Sequence, residues 1–179
     1  MKKPILYCDC DGVILNTIEI AFNMMKILGY DINDVVQRNY FFKYMVKWDE
    51  VFEQAEAINN SINKIKLLRE SDIFSDIIIL TRLSGGYDEE RLKRELFKEC
   101  LPDTKVITLQ FDLEKAAVVK AVNNVLIDDE ERNCNNWKQY DGTAILFSED
   151  KDLKHNVIND LMDIPKTKGV KKLLKTRNF

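Results

Sequence analysis

The stretch Ile5-Leu6-Tyr7-Cys8-Asp9-Cys10-Asp11-Gly12-Val13 decides how the rest of the chain is read. Its first four residues predict a short strand, apolar on consecutive positions and therefore covered by helices on both faces. Two acids separated by one residue follow at once. Alternate residues of an extended segment share a face, so Asp9 and Asp11 are expected to enter one pocket as the chain leaves the sheet. Gly12 permits a backbone turn there that most side chains would hinder.

Working outward, four more apolar runs have strand length: Asp76 to Leu80, Lys105 to Leu109, Val125 to Ile127 and Thr143 to Phe147. Between and after them, apolar residues recur at three- and four-residue spacing, as in Ile62, Ile65 and Leu68; Leu92, Leu96 and Phe97; Ala117, Val118 and Val122; and Val157, Ile158 and Leu161. These predict amphipathic helices. Strand alternating with helix predicts an α/β domain of three layers, helices on either side of a parallel sheet.

The first crossover, from Asp9 to Ser75, is far longer than one connecting helix requires. Residues 18–60 are helical in character and rich in aromatics (Phe22, Tyr30, Tyr40, Phe41, Trp48, Phe52). They are expected to form a small cap of three helices over the carboxyl edge of the sheet, with the aromatics as its core and Ser61 capping the return helix. The expected organisation is a core of residues 1–17 and 61–163, the cap at 18–60, and a basic tail at 164–179.

Composition bounds the class. The chain has 179 residues, 45% of them apolar and 32% charged, which fits one soluble domain with a real core. No apolar run is long enough to span a bilayer, and acids interrupt the start before a signal-peptide core is complete, so a cytoplasmic protein without membrane contact is expected. Cys8, Cys10, Cys100 and Cys134 make no disulfide framework, and with only His155 beside them they make a poor zinc site. A single histidine also argues against histidine-relay chemistry. Net charge is -3, yet residues 164–179 hold six basic residues and no acid. Such a tail can contact nucleic acid or an acidic surface; a solvated terminus is the favoured expectation.

The chemistry is expected at strand ends. A calcium loop would need more oxygen ligands and a closing glutamate, so the crowded carboxylates point to Mg²⁺, which offsets their repulsion. The second run ends in Thr81-Arg82, placing a hydroxyl and a guanidinium where ligands gather at the carboxyl ends of parallel strands. The fourth ends in a second acidic pair, Asp128-Asp129, and two such pairs together make a hard-oxygen metal site. After the third run, Asp112 is expected as a helix cap with Lys115 in the first turn, where a positive charge opposes the helix dipole and so suggests a role. Lys120 lies farther along the same helix, away from the acids. A two-component receiver domain uses similar residues in a different order, with its acidic pair first and its lysine on the last strand.

Taken together, DCDGV at 9–13, ILT at 79–81, Lys115 and LIDD at 126–129 resemble the four motifs of the haloacid dehalogenase superfamily of phosphohydrolases. More narrowly, LIDDEERNCNNW with Gly142 is similar to the bacterial and phage branch that includes 5'(3')-deoxyribonucleotidases. The resemblance implies a Rossmann-like sheet of order 5-4-1-2-3. It implies Asp9 as the nucleophile forming an aspartyl-phosphate and Asp11 as the acid and base. Thr81 and Lys115, with Gly12 and Arg82 beside them, would bind the phosphoryl group. Mg²⁺ would be held by Asp9, the main-chain carbonyl of Asp11 and Asp129, with Asp128 and Asn133 orienting the ligands. The substrate implied is a nucleotide or another small phosphomonoester; the alternatives are a polynucleotide 3'-phosphatase and an inactive phosphate- or partner-binding relative.

Overall fold

Ile5–Cys8 forms β1 at the centre of a six-stranded parallel sheet. The computed structural model describes residues 2–85 and 88–176, so residues 177–179 of the basic tail lie outside the described residues. β1 is flanked by β2 (Asp76–Arg82) and β4 (Val125–Asp128), with β3 (Lys105–Leu109) beyond β2 and β5 (Thr143–Phe147) beyond β4. The expected order 5-4-1-2-3 is extended by one strand, β6 (Val157–Ile158), paired to the outer side of β5. Val157 and Ile158 were expected in a helix. Two adjacent apolar residues suit either element, and here the open edge of β5 takes them as a strand.

Alternation along the strands builds two cores. Leu6, Cys8, Ile77, Ile79, Val125, Ile127 and Ile145 face one side, against Ile65 and Leu68 of α4 (Ser61–Glu70) and Phe97 of α5 (Glu89–Cys100). Tyr7, Ile78, Leu80, Leu126 and Ala144 face the other, against Cys134 and Trp137 of α7 (Glu131–Gln139). The helix expected over Ala117 to Val122 is only one turn, α6 (Lys115–Val118), with Glu114 rather than Asp112 at its cap. Ser61 does not cap α4: it is the first helical residue, and its hydroxyl donates to the Ile14 carbonyl.

Three helices follow β1: α1 (Thr17–Ile27), α2 (Val35–Tyr44) and α3 (Trp48–Gln54). Ala21, Met25, Phe41, Trp48 and Val51 are buried together, with Phe22, Tyr30, Phe42 and Phe52 packed against them. The aromatics therefore serve mainly as a local core, although Tyr40 and Tyr44 remain exposed. Among the described residues no helix is long and apolar enough to cross a membrane.

As far as Thr176 the tail is not a solvated terminus. Leu161–Lys166 forms a 3₁₀ turn and Lys168–Lys175 forms α8, whose Val170 is fully buried in the main core beside Ile164. The sequence KGVKKLLK places Val170, Leu173 and Leu174 on one helical face and its lysines on the other, so burial of the apolar face decides the conformation.

Candidate active site

The register Cys8 with Ile79 and Ile127 brings the residues that follow these strands to one edge of the sheet. There the chain leaves β1 through Asp9, whose backbone N–H donates to the Ile127 carbonyl at 3.0 Å. Gly12 then turns with φ +75°, a left-handed conformation that favours glycine.

Ligand oxygens of Asp9, Asp128 and Asp129 all lie within 4.8 Å of one another. Lys115, 2% exposed, reaches into this group, with Nζ 2.9 Å from Asp9 Oδ1 and 2.6 Å from Asp128 Oδ2. Asp128 is satisfied on both oxygens, since Oδ1 accepts from Asn133 Nδ2 at 2.9 Å and from the Glu130 N–H at 3.0 Å. That network suits an orienting role. Burial raises Asp9 to about 7, Lys115 opposing and the Asp128 and Asp11 carboxylates adding to the rise. Burial likewise raises Asp129 to about 8, reinforced by Asp9 and Asp128. Three carboxylates against one lysine are short of positive charge.

This donor set fits Mg²⁺. It is all hard oxygen and partly desolvated, and a divalent cation would offset the mutual repulsion that adds to burial in raising Asp9 and Asp129.

Asp11 takes a different partner. Its Oδ1 accepts from Thr17 Oγ1 at 2.7 Å, and its Oδ2 from Lys93 Nζ at 2.6 Å and Thr81 Oγ1 at 3.2 Å. The carboxylates grouped closely enough to share an ion are those of Asp9, Asp128 and Asp129, while the Asp11 side chain is bonded to Thr17, Thr81 and Lys93. Asp9 and Asp11 sit close enough to repel, but each is held by its own lysine. Burial alone would raise Asp11; Lys93, with the hydroxyls of Thr17 and Thr81, outweighs it and lowers the carboxyl.

Thr81 is buried, and its hydroxyl is engaged with Asp11 and Lys93 rather than turned to open space. Arg82 Nη2 donates to Asn133 Oδ1 at 2.8 Å, and its buried Nε has no partner among the described residues. Lys120 is elsewhere. It lines a groove with Lys2, Lys3, Ile5 and Asn124, at the opposite edge of the sheet from Asp9. Cys8 and Cys10 are buried free thiols, and burial raises the Cys8 thiol to about 12, which leaves it inert.

Sequence reading missed Lys93, Glu89, Thr17 and Ser84. Its one available signal was Glu89 with Lys93 at i,i+4, which ordinarily marks a solvated helix face.

No protein-family model matches the sequence, and neither does any curated protein. Solved structures do match. A haloacid dehalogenase-like family hydrolase from Xanthomonas campestris superposes with a TM-score of 0.62 at 13% identity, over 97% of this chain and 93% of that one. The HAD-hydrolase YfnB from Bacillus subtilis, a structure bound to magnesium, gives 0.57 at 13% over 93% and 98%. A subfamily IA HAD-superfamily hydrolase from Geobacter sulfurreducens gives 0.58 at 8% over 92% and 95%. A buried acidic cluster at the carboxyl edge of a parallel sheet, helices inserted behind β1, and these superpositions lead to one conclusion: the chain has the fold of the haloacid dehalogenase-like hydrolases.

Proposed function

We propose that the protein is a Mg²⁺-dependent phosphomonoester hydrolase acting through an aspartyl-phosphate on a nucleotide or other small phosphorylated metabolite. The observation that carries this reading is the convergence of Asp9, Asp128, Asp129 and Lys115 in one buried group at the end of β1 and β4. The magnesium bound by the YfnB structure supports the choice of ion.

Asp9 attacks phosphorus, the bond to the leaving oxygen breaks, and that oxygen takes a proton from Asp11, a carboxyl that the charge of the bound phosphate must first bring to its protonated form against the pull of Lys93. Asp11 then takes a proton from the water that cleaves the aspartyl-phosphate, which restores Asp9 and releases phosphate. Asp9, Asp129 and the main-chain carbonyl of Asp11 would hold Mg²⁺, with Asp128 and Asn133 keeping the ligands oriented. When bound, the ion neutralises phosphate charge so that an anionic nucleophile can approach. Lys115 holds Asp9 and is placed to pair a phosphoryl oxygen. Thr81 and Arg82, at the end of β2, would join it on the phosphoryl oxygens, Thr81 once its hydroxyl turns from Asp11.

The inserted helices α1 to α3 act as the cap, enclosing small substrates and excluding water. α8 leads into Thr176, which lines a groove with Lys2, Lys3 and Ile5 on the edge remote from Asp9, and this favours a small substrate over a polynucleotide end. The test is a hydrolysis screen over nucleoside monophosphates, sugar phosphates and 3'-phosphorylated oligonucleotides. Turnover should need Mg²⁺ and vanish in Asp9→Asn; activity that survives chelation would overturn the reading.

A further inference from the structure

Lys93 is a fully buried lysine in the middle of a helix otherwise rich in exposed charge, and nothing in the motifs assigns it a role. Its ammonium has three hydrogens and four acceptors in reach: Asp11 Oδ2 at 2.6 Å, Glu89 Oε1 at 2.7 Å, Thr81 Oγ1 at 3.0 Å and the Arg82 carbonyl at 3.1 Å. Two carboxylates and one ammonium taken out of water cost more than a well-packed apolar cluster of the same volume would. Stability therefore does not explain the arrangement.

Geometry offers a better account. Lys93 is the one cation that touches Asp11 among the described residues, and its bond, with those of Thr17 and Thr81, fixes both oxygens of that carboxyl. Glu89 in turn fixes Lys93 from one helical turn away, which holds the ammonium against the sheet edge. The inserted helices close the arrangement. The Trp48 ring lies over Lys93 Nζ, 5.6 Å from its centroid, and the indole N–H donates to Ser84 Oγ at 3.1 Å. Ser84 then donates to Glu89 Oε2 through its hydroxyl at 2.8 Å and its backbone N–H at 2.7 Å. A continuous chain of contacts runs from α3 to Asp11: Trp48, Ser84, Glu89, Lys93.

We infer that Lys93 is a positioning residue for Asp11, aiming the carboxyl at the leaving oxygen, and that Trp48 couples this aim to the docking of the cap. The inference rests on the phosphatase reading. It predicts a signature that a merely structural lysine lacks. Proton delivery matters for a poor leaving group such as an alkyl alcohol and much less for p-nitrophenol, so losing the aim should be selective by leaving group.

The experiment compares wild type, Asp11→Asn and Lys93→Met in a Glu89→Gln background, which removes the Glu89 charge together with the ammonium and leaves Asp11 as the one carboxylate without its cation. Each is assayed with Mg²⁺ on a nucleoside 5'-monophosphate and on p-nitrophenyl phosphate. The Lys93→Met/Glu89→Gln variant should lose about 10²-fold more kcat on the nucleotide than on the aryl ester, with KM for the nucleotide within about threefold of wild type, the same selectivity that Asp11→Asn shows. Equal losses on both substrates, or none, overturn the inference and leave the phosphatase reading standing. A wild type inactive on all phosphomonoesters overturns both. Should the double variant fail to fold, Trp48→Phe keeps a ring on Lys93 but drops the bond to Ser84; it should show the same selectivity at about 3- to 10-fold, and its absence overturns the inference equally.

Discussion

Gly12 and Asp129 approach so closely that a β-carbon on residue 12 would meet Asp129 Oδ2 at 2.2 Å. Gly12 also sits at φ +75°, so backbone conformation and the space left for Asp129 both exclude a side chain. The turn after β1 thus sets how near the second acidic pair comes to the first. Gly12→Ala should cost about 1–2 kcal/mol from the left-handed backbone. It should also weaken Mg²⁺ binding by roughly tenfold or more as Asp129 is pushed aside. Calorimetric Mg²⁺ titration checks the second effect and thermal melting the first; unchanged affinity would show that Asp129 does not contribute to the ion site.

Lys115 is the only charge balancing Asp9 and Asp128 directly among the described residues. Lys115→Met leaves buried carboxylates unpaired and should destabilise the fold by about 3–5 kcal/mol, measured by denaturant unfolding in the absence of metal. Mg²⁺ should recover part of that loss by binding the native state. Lys120→Met, at the remote edge, should change neither stability nor turnover.

Without metal, stability should fall as pH rises. Asp9 and Asp129 titrate near 4 in the unfolded chain but at about 7 and about 8 in the fold. The folded state holds the extra protons between those limits, so their contribution is complete below about 4 and is lost as pH climbs to 7–8. In chelator, the protein should melt roughly 5 °C higher at pH 5.5 than at pH 8.5. Adding Mg²⁺ at pH 8.5 should close the gap, because the cation replaces the protons. A melting temperature that rises with pH in chelator would refute this.

Lys168, Lys171, Lys172 and Lys175 of α8 are exposed and form no ion pair among the described residues, while Val170 is buried in the core. Changing the four lysines to glutamine should leave melting within about 2 °C and small-substrate turnover intact. Removing residues 168–179 should destabilise the protein by exposing the core under Val170. Nucleic-acid contact by the tail, the less favoured reading of its charge, would show in the glutamine variant as weaker oligonucleotide binding with a shallower salt dependence, read by fluorescence anisotropy.

The five main strands were legible because each is a short apolar run between polar stretches, and burial on both faces leaves such a run no other place in an α/β chain. Asp9, Asp128 and Asp129 were legible for a related reason: acids directly after a buried strand must emerge at its carboxyl edge. Two adjacent apolar residues, Val157 and Ile158, were not enough to separate strand from helix, and the free edge of β5 decided them. The tail misled because its lysines dominate its composition, while Val170, Leu173 and Leu174 govern its packing.

Sequence alone determined the five main strands, the insertion after the first of them, and the four segments that bear acids, hydroxyl and lysine. Tertiary structure decided which charge meets which. Asp9 and Asp11 are two residues apart and nothing in their spacing named a partner for either, yet one is held by Lys115 and the other by Lys93. Lys93 in EERLKRELFK reads as one more surface lysine paired with Glu89 at i,i+4. Only the meeting of α5, β2 and Trp48 removes it from water, and an ammonium stripped of solvent must find carboxylates.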